Sequence, residues 1–176
     1  MTALNAINHL RLNVGFIIHE TVGYTREFPL AFPSIQLSLD LDVEQFSGAV
    51  RVSRAQQGLV VQVQVQGVTT AQCGRCLVDF NQPLSANYTD LYAFSPKSVS
   101  ESGLVLPETG QLDLAPAIRE EFLLSIPINP LCRPDCKGLC PVCGENRNVV
   151  ACDHTLGEID PRLELLKTLK DQPEAD

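Results

Sequence analysis

The stretch "LVVQVQVQG", residues 59–67, alternates Val61, Val63 and Val65 with Gln62, Gln64 and Gln66. Successive side chains of a strand point to opposite faces, so this pattern predicts a strand with one buried and one wet face. Working outward, "IQLSLDL" (35–41) alternates in the same way, and "FSGAVRVSR" (46–54) places Phe46, Val50 and Val52 at strand spacing. "AQQG" at 55–58 supplies the turn into the glutamine strand. Downstream, "QPLSANYTDLYAF" (82–94) sets Leu84, Ala86, Tyr88, Asp90 and Tyr92 on one parity. Short strands at regular spacing predict an antiparallel sheet or small open barrel rather than alternating βαβ units.

Residues 95–112, "SPKSVSESGLVLPETGQL", are rich in Ser, Pro and Gly and read as a mobile loop. Two helices are expected beyond it. "DLAPAIREEFLLSI" (113–126) begins on a capping Asp113, spaces Leu114, Ile118 and Phe122 by four, and is ended by Pro127 and Pro130. "DPRLELLKTLKD" (160–171) opens with Asp160 as N-cap and Pro161 at the first helical position, and its stripe is Leu163, Leu166 and Leu169. The expected class is therefore α+β: mainly antiparallel β sheet or small open barrel, with two helices and a C-terminal segment dense in cysteines. The expected division is a β-rich unit over 1–130, with its helix at about 113–126, then the cysteine segment and a terminal helix over 131–176.

Of 176 residues, 44% are hydrophobic, enough to bury a core, and 19% are charged. No window reaches the roughly 18 to 20 apolar residues of a membrane span. The first residues show no secretory signal, so a cytoplasmic location is expected, where thiols stay reduced and cysteine clusters tend to hold metal. The net charge of −8 is uneven. Residues 1–80 carry five Lys/Arg against six Asp/Glu, whereas residues 81–176 carry eight against fifteen. There is no basic stripe of the kind that neutralises phosphates, and an acidic surface suits a basic protein partner or serves solubility alone.

Seven cysteines, an odd number, argue against a complete disulfide framework. Their spacing is Cys73-x2-Cys76, then Cys132-x3-Cys136-x3-Cys140-x2-Cys143-x8-Cys152-x-His154. These eight donors match the demand of two tetrahedral zinc sites, since two sulfurs on one tight turn span an edge of the tetrahedron. In "CPVCG" Pro141 stiffens the turn and Gly144 permits positive φ. One partition groups Cys140, Cys143, Cys152 and His154 locally and leaves Cys73, Cys76, Cys132 and Cys136 to share a second ion. Another pairs Cys73/Cys76 with Cys140/Cys143 as a ribbon, and a third is a single four-ligand site with spare cysteines.

A redox role for "CGRC" would need a helix N-terminus after the motif, and the residues that follow read as strand, turn and strand. A hydrolytic zinc needs an open coordination position and a general base, and the sequence offers no HExxH. His9 and His19 lie far from the cluster and read as ordinary surface or satisfied residues. No enzymatic activity and no small-molecule substrate are expected.

"CGRCLVDF" (73–80), "LDLAPAIREEFLLSIPINPLC" (112–132), "CKGLCPVCGENRN" (136–148), "CDH" (152–154) and "IDPRLELLKTLK" (159–170) together resemble the bacterial YceD family, the large ribosomal RNA subunit accumulation proteins. The likeness covers the second half in order and spacing, while residues 1–70 share only a general strand pattern. Many relatives end the cluster in Cys-x-Cys where this chain has Cys152-x-His154. Some lack the later cysteines, which implies an architectural zinc, one or two ions per chain. The resemblance implies a non-enzymatic role in large-subunit ribosomal RNA accumulation, and a gene-level association with a small zinc-ribbon protein of that subunit. Three mechanisms stay open: binding a basic ribosomal or assembly protein, a redox-sensitive zinc switch, and direct RNA binding through a zinc module.

Overall fold

A computed structural model of the chain describes residues 4–5, 9–95 and 103–154. Its frame is a five-stranded open sheet in the order β1-β3-β4-β5-β6. The four long strands are β3 (Thr25–Ser38), β4 (Leu41–Arg54), β5 (Gly58–Gln72) and β6 (Asp79–Ala93), all antiparallel to their neighbours. The short β1 (Leu4–Asn5) adds a parallel edge against Ile35 and Gln36. A second, two-stranded sheet pairs β2 (Arg11–Asn13) with β7 (Gln111–Asp113).

The glutamine strand behaves as its pattern requires. Val61, Val63 and Val65 are buried, and Gln62, Gln64 and Gln66 are exposed. Cross-strand partners share a face, so the core face pairs Val61 with Asp90, Val63 with Tyr88 and Val65 with Ala86. On β4 the inward parity changes, from Leu41 and Val43 to Phe46, Val50 and Val52. The cause is a register shift between Glu44 and Ser47, with Gln45 at φ 53°. Phe32 pairs with Phe46 and Ser34 with Glu44, which sets Pro33 opposite Gln45 where β3 changes parity too. At Gly48, φ is 152° and a Cβ would collide with the Gln64 carbonyl oxygen, so only glycine fits.

The buried face of the sheet is covered by α1 (Ala115–Ser125), a 3-10 turn at Gly15–His19, and the β2–β7 pair. Leu114, Ile118 and Phe122 are fully buried, as their spacing predicts. Phe122 meets Phe46 edge-on, with ring centroids 6.0 Å apart. The N-cap is Leu114 rather than the expected Asp113, and no side chain caps the helix. Asp113 stands one residue earlier, where its Oδ1 accepts the Ala115 N–H at 3.1 Å in a local turn. The helix ends at Ser125, ahead of Pro127.

Two expectations need revision. Of the loop expected over 95–112, residues 96–102 lie outside the described ones, and 103–112 are tied to the sheet: Val105 bridges Ala93, the Leu106 N–H donates to the Ala93 carbonyl at 2.8 Å, and Leu106 is buried. The sequence reads as loop there because a bridge of one residue and a three-residue strand leave no periodicity. The alternative of a small barrel gives way to open sheets, in which β6 and the β1 edge are not bonded to each other. Among the described residues there is one α-helix, and the second, expected at 160–171, lies outside them. No helix among the described residues is long and apolar enough to cross a membrane.

Two candidate metal centres

Both centres are built on the same turn. At the tip of the β5–β6 hairpin, the Leu77 N–H donates to the Cys73 carbonyl at 3.0 Å, and Leu77 has φ 58°. In the C-terminal segment the Gly144 N–H donates to the Cys140 carbonyl at 2.8 Å, and Gly144 has φ 76°. Each turn closes Cys-x-x-Cys with a left-handed residue after the second cysteine, and the amides of Arg75 and Cys76 in one turn, and of Val142 and Cys143 in the other, face the first sulfur. Glycine adopts that conformation freely. Leu77 does so at a cost of about 1–2 kcal/mol.

The hairpin tip meets the segment after α1. The Gly74 N–H donates to the Pro130 carbonyl at 2.8 Å, and a Cβ at Gly74 would collide with Asn129 Oδ1. This close approach delivers Cys132 and Cys136 to the knuckle. Arg75 holds the seam from the other side. Its guanidinium donates to the Cys136 carbonyl at 2.9 Å, and its own carbonyl accepts the Leu139 N–H at 3.1 Å. Cys73, Cys76, Cys132 and Cys136 thus converge with their sulfurs all within 4.8 Å of one another. Phe80, Leu131 and Leu139 pack around this all-cysteine group.

The second group, of mixed sulfur and nitrogen donors, is Cys140, Cys143, Cys152 and His154, again with donor atoms within 4.8 Å of one another. It lies more open, with Cys140 buried and Cys143 and His154 exposed. A miniature hairpin holds it, through the Leu139–Asn146 bridge and the Cys140 N–H to Glu145 carbonyl bond at 2.8 Å. The structure therefore brings the eight donors together in the local grouping, not as a ribbon of the two Cys-x-x-Cys turns. His9 stands apart, edge-on to Phe32 at 5.6 Å, and His19 ends the 3-10 turn.

All seven cysteines are free thiols. The Cys73 and Cys136 sulfurs are 3.8 Å apart and those of Cys76 and Cys132 are 3.7 Å apart. A disulfide needs about 2.0 Å. Four sulfurs at about 2.3 Å around a tetrahedral ion would be separated by about 3.8 Å. The Cys140 Sγ to His154 Nδ1 distance of 3.7 Å is close to the corresponding sulfur–nitrogen edge of about 3.6 Å. Both groups could hold a metal ion.

The thiol electrostatics agree. The Cys132 amide, with those of Cys76 and Arg75, holds the Cys73 thiol down at about 6 against its burial. The Cys143 and Val142 amides hold Cys140 at about 6. Burial beside the other thiols pushes Cys132 up to about 12. Burial would raise Cys136 too, but an Asn148 side-chain N–H and the Gly138 amide reverse it. The Val78 amide favours the Cys76 thiolate, yet burial and the neighbouring sulfurs leave it raised. Cys152 is raised, first by the Cys140 side chain and then by burial. Each group mixes acidified and suppressed thiols because adjacent thiolates repel, and a cation between them would relieve that repulsion.

Sequence reasoning did not single out Asn146 and Asn148. Asn148 Nδ2 donates to Cys136 Sγ at 3.3 Å and to Asn146 Oδ1 at 2.8 Å. Two asparagines in a loop between cysteines carry no signal beyond turn propensity.

The model of the large ribosomal RNA subunit accumulation protein YceD matches residues 61–170, which includes all eight donors. The chain belongs to the YceD family. The family name implies a role in accumulation of large-subunit ribosomal RNA, and it names no reaction. The chain is similar to an uncharacterized protein of Mycobacterium tuberculosis, 32% identical over 155 residues, covering 84% of this chain and 70% of that one. Its likeness to the uncharacterized protein YlbN of Bacillus subtilis is 28% over 110 residues, 61% of this chain and 64% of the relative. No solved structure gives a significant match.

Proposed function

We propose that this YceD-family chain is a non-enzymatic, cytoplasmic ribosome-biogenesis factor that supports accumulation of large-subunit ribosomal RNA. It holds two structural zinc ions and works by binding a basic ribosomal or assembly protein. The observation that carries the zinc reading is the pair of complete four-donor groups with sulfur separations of tetrahedral size. Zinc suits thiolate and imidazole donors, and four protein ligands close the coordination sphere, as an architectural site requires. The all-cysteine group ties the β5–β6 hairpin to the segment after α1. The mixed group orders the segment beyond it. The division we propose is a β-rich unit over 1–130 and, over 131–176, the zinc-binding cysteine segment with a C-terminal helix whose residues lie outside the described ones.

The acidic balance supports a basic protein partner over direct RNA contact. Residues 81–130 carry two Lys/Arg against six Asp/Glu, and such a field repels a phosphate backbone while steering a basic protein inward. On α1, Glu120 and Leu124 are exposed, and Ile128 just beyond the helix is fully exposed, so acidic and apolar contacts adjoin.

Elemental analysis of protein purified without added metal should find two zinc ions per chain. Cells depleted of the protein should lose large-subunit relative to small-subunit ribosomal RNA. A metal-free native protein would reject the first half of this reading, and unchanged RNA the second.

A further inference from the structure

Asn148 lies between Cys143 and Cys152, inside the chain segment that the mixed group encloses, yet its side chain reaches the other centre. Its Nδ2 donates to Cys136 Sγ at 3.3 Å. Its Oδ1 accepts the Lys137 N–H at 2.8 Å and an Arg133 guanidinium N–H at 2.7 Å, so it grips the turn on both sides of Cys136. Asn146 orients it, since Asn146 Oδ1 accepts both the Asn148 backbone N–H at 3.0 Å and its Nδ2 at 2.8 Å. Two donors and one acceptor oxygen are all engaged, which leaves this side chain one orientation.

We propose that Asn148 is a positioning residue that couples the two metal centres, so that filling the mixed group strengthens metal binding at the all-cysteine group. The inference rests on the zinc reading above. An N–H···S bond to a metal-bound thiolate disperses its charge and fixes its lone pair, and outer-shell bonds of this kind govern metal retention. The position of that N–H depends on residues 140–152. When the mixed donors hold an ion, the segment is ordered and Asn148 is delivered to Cys136. When they do not, the ordering cost falls on metal binding at the all-cysteine group.

Cobalt(II) is the probe, because four-sulfur and three-sulfur, one-nitrogen coordination give separable absorption spectra, and sulfur-to-metal charge transfer reports each thiolate set. Asn148→Asp keeps the acceptor oxygen for Lys137 and Arg133 but removes the N–H. It should lower cobalt affinity at the all-cysteine group roughly 10- to 100-fold and shift its charge-transfer band, leaving the spectrum of the mixed group in place. Asn148→Ala, which adds no charge, should change affinity in the same direction and guards against misfolding of the first variant. Removing the second centre with Cys152→Ser and His154→Ala should weaken the all-cysteine group by a similar factor. Combining that change with Asn148→Asp should do little more, as expected for two changes that remove one interaction. Wild-type affinity and band position in both Asn148 variants, or losses that multiply in the combination, would overturn the coupling while leaving both metal sites standing. A wild-type protein that binds no metal would overturn the zinc reading and the coupling together.

Discussion

Asp90 stands directly across from Val61 on the core face of the sheet, a carboxylate where the pattern supplies valines. Burial raises its pKa above the ordinary carboxylate value. A raised acid is penalised when ionised, so the penalty is full above its folded pKa and vanishes as pH falls below its unfolded one. Asn at this position keeps the shape without the charge. Asp90→Asn should therefore stabilise the protein at pH 7 in urea denaturation, and the advantage should shrink on acidification. A stability gain independent of pH would show that charge burial is not the cause. At this scale the metal-donor set was legible in part. Cys-x-x-Cys spacing names donors through local chain geometry. Asn148 was invisible, because its role depends on where a loop places an amide relative to Cys136, twelve residues away.

At the scale of elements, legibility followed periodicity. Residues 61–66 alternate strictly, and 82–92 keep one inward parity apart from Asp90; both coincide with long strands. The alternation over 35–41 does not run through one strand: it spans the end of β3, a turn at Leu39 and Asp40 with Leu39 fully exposed, and the first residue of β4. The earlier part of β3 carries no strand signal, because Pro29 and Pro33 argue against a strand and the inward parity changes at Pro33. The prolines are tolerated because β1 covers only Ile35 and Gln36, leaving the outer edge of β3 unpaired at Pro29 and Pro33 in the described sheet. The segment 131–154 differs in kind from the sheet. Its only buried residues are Cys136, Gly138 and Cys140, while Val142, Val149 and Val150 are exposed. With so little apolar burial, metal ligation would stand in for a core there under the zinc reading proposed above, since structural zinc in small modules supplies roughly 10 to 16 kcal/mol of apparent binding energy to folding. Chelation should open residues 131–154 to limited proteolysis and leave the sheet, with its buried Val50, Val61 and Val63, resistant. Identical digestion with and without chelator would show that the segment orders itself without metal.

At the scale of the whole molecule, the question is whether the −8 charge has a direction. Residues 1–80 are close to neutral, and on the described surface α1 presents Glu120 to solvent with Glu121 partly covered. Arg119 on the same helix is already paired with Asp40 at 2.9 Å, so it does little to offset them. Charges at the rim of an interface act mainly on the rate of encounter, and their effect fades with salt beyond about 8 Å at physiological ionic strength. Glu120→Lys with Glu121→Lys should therefore slow capture of basic large-subunit ribosomal proteins at low salt and flatten the salt dependence of that capture. Folding and metal content should hold, because exposed charges contribute about 0–1 kcal/mol each. In cells lacking the native protein, the double reversal should restore less large-subunit ribosomal RNA than the wild-type chain does. Full restoration, with salt dependence unchanged in vitro, would mean that these carboxylates only solvate the helix and recruit no basic partner. The exposed apolar pair Leu124 and Ile128 would then be the next residues to substitute.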